Sequence, residues 1–362
     1  MFGTKNMAGY KQSLLFHNKL PLVSVIVVTF NSQKYINDCL ETIFKTKYEN
    51  FEVIVVDNGS IDQTLGLIEE KFPRAKIIKS PKNLGYAGGN NLGARHARGE
   101  YIGIFNPDTQ VSKTWLGPLI DAINHPKVAA CQPKIMLSAQ KSLINLTGKT
   151  THFLGFDWLT DYQQKDYQMP LKGINSFSGS AVLVKKKIFD NLGGFDSSFF
   201  MYYEDGDLSW RFRLAGYKIL LVPDSVVYHD YKYQPEEDYQ KMKRKFYFLE
   251  RNRLMMIFKN YSWRTLLLLL PAIVFMEFGM NIYFLRKSWL IEKWKGYFWL
   301  LGNLLGILKK KVQVQEKRQF SDRQICQDFA GAIEFKEFDN FFVNYLANPV
   351  LSIYWQAVKK FI

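Results

Sequence analysis

From Leu22 onward the chain alternates unbroken apolar runs with stretches whose apolar residues recur every three or four positions. Val23 to Phe30 is a continuous β-branched run, which predicts a strand buried on both faces of a parallel sheet. Ile36, Leu40, Ile43 and Phe44 then share one helical face, and Asn31-Ser32 offers that helix an N-cap. Phe51 to Val56 reads as a second strand, Asp62 to Phe72 as a helix closed by Pro73, and Ala75 to Lys79 as a third strand. A glycine-rich stretch, Asn83 to Asn91, leads into a helix to Arg98, and Tyr101 to Phe105 is the fourth strand. This βαβαβαβ alternation predicts the nucleotide-binding half of an α/β fold.

The middle is less regular. Lys134 to Asp166 has a loop-prone composition and is expected to cover the site. Ser178 to Val184 predicts a strand, Ile188 to Leu192 a short helix ended by Gly193-Gly194, and Asp207 to Ala215 a helix stopped by Gly216. Tyr217 to Val222 is another strand, followed by Val226-Val227-Tyr228-His229. In the last third, Tyr239 to Lys259 reads as a basic, aromatic helix. Thr265 to Leu285 is an apolar run interrupted by Pro271, Glu277 and Asn281, and Tyr297 to Leu308 is a second one closed by three lysines. The first is long enough to cross a bilayer. A carboxylate near mid-span costs on the order of 3 kcal/mol, so in-plane or re-entrant association is expected ahead of a span, with a buried helical hairpin as the other reading. The expected division is a basic N-terminal tail (1–20), two halves of an α/β domain (21–115 and 116–231) and a helical basic and apolar region (232–362).

A chain of 362 residues, 47% hydrophobic and 16% aromatic, buries a substantial core. Of its +15 net charge, the stretch from Tyr231 carries most, with 22 Lys/Arg against 12 Asp/Glu. Those cations neighbour apolar runs, which points to anionic lipid and away from nucleic acid. Three widely spaced cysteines, Cys39, Cys131 and Cys326, argue for a reducing compartment and against a zinc or disulfide framework. The first 20 residues carry lysines but no apolar core of a signal peptide, so the catalytic part is expected at the cytoplasmic face of the membrane.

Three apolar runs end in acids: Phe51–Val56 in Asp57-Asn58-Gly59-Ser60, Tyr101–Phe105 in Asn106-Pro107-Asp108, and Phe199–Tyr203 in Glu204-Asp205-Gly206-Asp207. Ligands of open α/β sheets bind beyond the carboxyl ends of the strands, so these acids are candidates for holding a nucleoside, a cation and a proton. A nicotinamide-dependent enzyme would need Gly-x-Gly-x-x-Gly after the first strand, where this chain has Thr29-Phe30-Asn31-Ser32.

Taken in order, Val25 to Asn31, Val55 to Ser60, Asn83 to Asn91, Asn106 to Thr109 and Gly194 to Leu208 resemble the motifs of family 2 glycosyltransferases of the GT-A fold, most closely the bacterial rhamnosyltransferase group of O-antigen and surface polysaccharide synthesis. The resemblance covers Leu22 to Tyr231. It implies a mixed-sheet α/β domain and an inverting, metal-dependent transfer from a nucleotide-diphospho-sugar donor, dTDP-L-rhamnose first and UDP-galactofuranose, UDP-glucose or UDP-N-acetylglucosamine as alternatives. The implied acceptor is a polyprenyl-diphosphate-linked saccharide at an anionic membrane surface, and a second copy of the chain is a further candidate partner. A basic lipid- or nucleic-acid-binding protein without catalysis is the remote alternative.

By the same resemblance Asp57 would accept from the base N–H, with Thr29 and Asn31 beside it. Asn83, Gly85 and Asn90 would approach sugar or phosphate, Gly88 and Gly89 easing the way. Asp108, the last position of the family's Asp-x-Asp, would hold Mn²⁺ or Mg²⁺ with His229, and Asn106 stands where most of the family has the first carboxylate. Imidazole favours Mn²⁺. Asp205 is the expected general base with Glu204 next in line, Asp207 a capping acid, and Trp210 an acceptor platform or core residue.

Overall fold

The computed structural model describes residues 20–231, 239–334 and 341–362. The expected basic tail lies outside the described residues, apart from Leu20. In chain order the elements are β1 (Val23–Thr29), α1 (Ile36–Phe44), β2 (Phe51–Asp57), α2 (Thr64–Lys71), β3 (Lys76–Lys79), α3 (Gly85–His96), β4 (Tyr101–Phe105), β5 (Thr109–Val111) and α4 (Leu116–Ile123). There follow β6 (Val128–Leu137), β7 (Ile144–Leu146), β8 (Lys149–Thr151), β9 (Asp157–Leu159), β10 (Lys172–Gly173), β11 (Ala181–Lys185), α5 (Lys186–Asn191), α6 (Glu204–Leu214) and β12 (Lys218–His229). The chain closes with α7 (Tyr239–Asn260), α8 (Trp263–Arg286), α9 (Leu290–Gly302), α10 (Leu304–Glu316), α11 (Asp322–Ile325) and α12 (Asn348–Val358).

The chain divides into two compact units. One takes in the described residues up to Lys149, Leu159–Phe200 and the chain from Tyr217 through β12. Its sheet runs β10-β12-β6-β11-β4-β1-β2-β3, with β5 on β12 and β7 on β6. Strands β3, β2, β1 and β4 are parallel, whereas β11 is antiparallel to both β4 and β6. The apolar runs of β1, β2 and β4 are buried as their composition requires, in one core with Leu40 and Ile43 of α1 and with Leu119 and Ile123 of α4, the latter helix packing on β6, β11 and β12. Two expectations fail here. Residues 134–166 are no loose cover: β6 is buried along its whole length, and Lys134 is tied to Asp166 at 2.7 Å. Nor do Asn31-Ser32 cap α1, which begins at Ile36 without a side-chain cap, because Asn31 turns the chain at φ 52°.

The other unit takes in Thr150–Trp158, Met201–Gly216 and the chain from α7 onward. The segment carrying Glu204 and Asp205, expected in the same half as β11 and β12, thus packs with the C-terminal helices. Buried charge organises this unit. Asp207, completely buried, binds Arg211 Nε at 2.8 Å, Lys259 Nζ at 2.7 Å and Asn260 Nδ2 at 3.0 Å, so it is the centre of an ion cluster and more than a helix cap. Glu277 on α8 pairs with Arg253 of α7 and, at 2.8 Å, with Lys293 of α9, and it accepts from Tyr297 at 2.6 Å. Glu250 closes the network on Arg253 (3.0 Å) and Lys293 (2.7 Å).

Helix α8 is long and apolar enough to cross a membrane by length and composition alone. Thr265, Leu269, Ala272, Met276, Met280 and Phe284 form its buried stripe, while Leu267, Leu270, Val274, Phe278 and Leu285 are exposed. Glu277 is thus directed into protein contacts, which removes the objection its charge raised. The second apolar run does not form one helix, since the chain breaks at Gly302-Asn303 between α9 and α10. All three cysteines are free and buried, with burial pushing the Cys39 thiol up to about 12.

Burial alone would raise the Glu277 carboxyl, but the charges of Arg253 and Lys293 overcome it and hold the group at about 2, below its ordinary 4.5. A depressed carboxyl stabilises the fold above its unfolded value and ceases to do so as the pH falls through the folded one, so this contribution is lost between pH 4.5 and 2. Glu277→Gln leaves two buried cations short of a partner and is expected to cost about 3–5 kcal/mol, read as a lower urea midpoint at pH 7. At pH 2 the difference between variant and parent should shrink toward zero.

Candidate nucleotide and metal site

Strands β1 and β2 share a parallel register that sets Thr29 opposite Asp57, and β1 and β4 one that sets Val27 opposite Phe105. Connections from β1 run outward through β2 to β3, then return across β1 to β4, so the carboxyl ends of β1 and β4 flank a topological switch point. There Thr29 Oγ1 donates to Asp57 Oδ1 at 3.2 Å. Asp57 Oδ2 accepts from Gly59 N at 3.1 Å and Ser60 N at 3.0 Å, so this acid closes its own turn. Asp62 receives Thr64 N at the start of α2, while Ser60 Oγ receives Asn31 N at 2.9 Å. Asn31 Oδ1 in turn accepts from Ile61 N at 2.9 Å, so the turns after β1 and β2 are locked together.

The glycine-rich stretch is already helix from Gly85. Asn83 Oδ1 accepts from Gly85 N at 2.8 Å, which makes it the local cap, and Asn90, buried, donates its amide to Tyr86 O at 3.0 Å. These two asparagines, expected to contact the donor, spend those groups on the fold. The glycines serve packing too. A Cβ on Gly85, whose φ is +70°, would lie 2.3 Å from Phe200 O, and one on Gly89 would lie 2.6 Å from Val28 Cγ1. Backbone does approach closely at Gly85, but the neighbour is the protein itself.

Asp108 follows β4 in the turn that starts β5, and His229 ends β12. Antiparallel pairing sets His229 opposite Thr109, and Asp230 N donates to Asp108 O at 2.9 Å. His229 Nε2 lies 3.4 Å from Asp108 Oδ1. The other ring nitrogen, Nδ1, is 2.9 Å from Asn145 Oδ1, an acceptor; a proton on Nδ1 alone would leave the Nε2 lone pair toward the carboxylate. Asp108 Oδ1 is buried without a hydrogen-bond partner. A carboxylate oxygen and an imidazole lone pair facing one another fit a divalent cation, with the distal ring nitrogen oriented by a carbonyl oxygen as metal-bound histidines require. No cluster of three His, Cys, Asp or Glu suited to a metal occurs among the described residues, so a cation here would need oxygens from its ligand. Sequence reading paired Asp108 with His229, which the structure brings together, but did not name Asn145, which lies 84 positions from the histidine and carries no motif. By contrast His152 is buried and neutral, its ring held between Gly331 O and Leu154 N.

In the other unit Glu204 and Asp205 form the first turn of α6, each 6% exposed. The helix starts three residues before the predicted Asp207, with Tyr202 and Tyr203 ahead of it at φ 67° and 69°. Trp210 is 3% exposed and packs edge-on against Tyr261 and Phe329, with ring centroids 4.7 and 5.2 Å away. It is a core residue, and the acceptor-platform expectation falls because no ring face is left to solvent.

Residues 24–193 match the sequence model of glycosyl transferase family 2. The chain carries a family 2 glycosyltransferase domain. It is 27% identical over 232 residues to the N-acetylglucosaminyl-diphospho-decaprenol L-rhamnosyltransferase of Mycobacterium tuberculosis, covering 58% of this chain and 76% of that protein. Over 197 residues it is 27% identical to the low-salt glycan biosynthesis hexosyltransferase Agl10 of Haloferax volcanii, covering 53% and 61%. The match to protein y4gI of Sinorhizobium fredii, 29% identical over 224 residues, covers 58% of this chain and 24% of that protein's length. Among solved structures, GalNAc-T7 with UDP, GalNAc and Mn²⁺ superposes at a TM-score of 0.56 and 15% identity over 69% of this chain and 49% of that one. The fold of the glycosyltransferase is therefore GT-A, as the motif order implied.

Proposed function

We propose that this glycosyltransferase moves a sugar, L-rhamnose from dTDP-rhamnose in the favoured reading, onto a hydroxyl of a polyprenyl-diphosphate-linked saccharide at the cytoplasmic face of the membrane, with inversion. The observation that carries the reading is the Asp108–His229 pair beyond the carboxyl end of β4, in which Asp108 Oδ1, buried without a hydrogen-bond partner, lies 3.4 Å from His229 Nε2. Asp108 and His229 would hold Mn²⁺ or Mg²⁺ there, and such a cation supplies charge neutralisation to a departing diphosphate. Thr29 and Asp57 border the nucleoside side of the same strand edge. Asp205 takes the proton of the acceptor hydroxyl as its oxygen bonds to the anomeric carbon, and the nucleoside diphosphate leaves with the electron pair of the broken C–O bond. The rhamnosyl and lipid-linked assignments draw support from the mycobacterial relative, whose name gives both. A UDP-sugar donor is the alternative, and a panel of nucleotide sugars decides between them by nucleoside diphosphate release.

Membrane association draws support from the second unit's surface. Leu267, Phe278 and Leu285 of α8 are 71%, 68% and 62% exposed, Phe298 and Leu301 of α9 are also exposed, and Ile353 of α12 is 72% exposed. Apolar side chains of this number on a basic region suit the interface of an anionic bilayer, entered in-plane.

Asp205→Asn is expected to lose turnover by about two orders of magnitude or more, with nucleotide-sugar affinity unchanged in calorimetric titration. Asn145→Leu should weaken Mn²⁺ binding in the presence of nucleoside diphosphate about 10- to 100-fold while the sheet stays folded, because His229 loses the group that fixes its tautomer. Full activity in excess EDTA would remove the metal from the reading. The triple change Leu267→Glu, Phe278→Glu and Leu285→Glu, made in the full chain, should abolish flotation with anionic liposomes at high salt yet leave the circular dichroism intact. Flotation equal to the parent's would show that this face does not meet lipid.

A further inference from the structure

We propose that Asn252 of α7 is a positioning residue for the carboxylates at the start of α6, an inference that rests on reading Asp205 as the base. Tyr202 and Tyr203 both lie in the left-handed region, at φ 67° and 69°, which bulky L-residues avoid. Strained pairs of this kind persist only when their surroundings hold them, and they gather at functional sites. Immediately after them come Glu204 and Asp205, the first two residues of a helix whose N-cap, Tyr203, makes no side-chain capping bond. The two tyrosine backbones therefore set where the first turn of α6 begins, and with it the backbone positions from which Glu204 and Asp205 project.

Asn252 supplies the restraint. Its Nδ2 donates to Met201 O at 2.9 Å and to Tyr202 O at 2.8 Å, using both amide hydrogens on successive carbonyls of the turn. Its Oδ1 accepts from Arg251 Nε at 2.8 Å and Nη2 at 2.7 Å, and a guanidinium can only donate, so the amide cannot exchange its two ends. The Arg251 guanidinium in turn lies 4.1 Å from the ring centroid of Trp299. Asn252 is completely buried, and the next residue, Arg253, belongs to the ion network that fixes α7 against α8 and α9. The helices beyond the family 2 region thus do more than carry an apolar surface: they hold the turn on which the base is mounted. Releasing the two αL residues would let the first turn of α6 rotate, and a displacement of about 1 Å at a reacting group costs about 10²-fold in rate.

The test compares Asn252→Asp, which keeps the shape but points an oxygen at two carbonyls, with Asn252→Ser, which keeps one donor. The expected result is a fall in kcat of about 100-fold for Asp and about tenfold for Ser, with the donor KM within about twofold of the parent. Amide hydrogen exchange should rise across residues 200–206 and stay unchanged in β1, β2 and β4. Adding Tyr202→Gly, which takes a positive φ without strain, should recover about tenfold of the lost kcat. Parent-like kcat in both folded variants, or a lost kcat with no change in exchange at 200–206, overturns the proposal. If the Asp variant does not fold, the Ser variant and its Tyr202→Gly partner decide alone. Asp205→Asn, assayed in parallel, separates the two readings. Retained turnover in Asp205→Asn together with a loosened, slow Asn252→Asp moves the base to another residue of the turn and keeps the positioning role. A dead Asp205→Asn beside a normal Asn252→Asp keeps the base and removes the positioning role.

Discussion

The shared direction of β2, β1 and β4 is the constraint from which the donor site follows. Parallel hydrogen bonding aligns the carboxyl ends of these strands, so whatever the sequence places after each of them arrives at one edge. Thr29 and Asp57 meet because they are register partners, and the turn holding Asp108 begins one strand away. Strand β11, antiparallel to both β4 and β6, gives the sheet its mixed character, and β12, parallel to β6 and so running the same way as β4, ends with His229 beside β5. Once those pairings exist, the carboxylate–imidazole contact needs only an oriented ring, and Asn145 on β7 holds its other nitrogen at 2.9 Å.

Burial of charge governs the other unit. Asp207, Glu250 and Glu277 are acids with little or no contact with water, and each is met by two cations. Removing a carboxylate from water is affordable only with that kind of pairing. Because the cations that meet Glu277 come from α7 and α9, those pairs fix where α8 lies, and α8 is then left with an apolar stripe facing outward. Composition alone suggested a membrane-seeking helix interrupted by an awkward glutamate. The side chains show the glutamate as the tether that holds the helix against its own unit.

Glycine and tryptophan illustrate the limit of motif reading. Gly85 stands in a motif associated with ligand phosphates, yet its missing Cβ makes room for Phe200 O. Trp210 stands close after Glu204 and Asp205, yet its ring lies between Tyr261 and Phe329, which are 51 and 119 positions further along the chain. Neither outcome is written in the local pattern, because both depend on what the rest of the chain brings alongside.

The sequence by itself determined the alternation of strands and helices from Val23 to Phe105, since uninterrupted β-branched runs can be satisfied only inside a covered parallel sheet. It determined which acids follow those strands, the order of the family motifs, and the basic, apolar character of the last third. What it left open is what long-range contact decides. The buried run of β6 looked loop-like because its polar residues, Gln132 and Lys134, find partners in Ser178 and Asp166 far along the chain. Asn145 and Asn252 are ordinary asparagines until tertiary structure sets one against a histidine and the other against two carbonyls of a strained turn. Periodicity records burial, which is local in its signature. Hydrogen-bond and ion-pair partners are chosen across tens of residues, and only the folded chain chooses them.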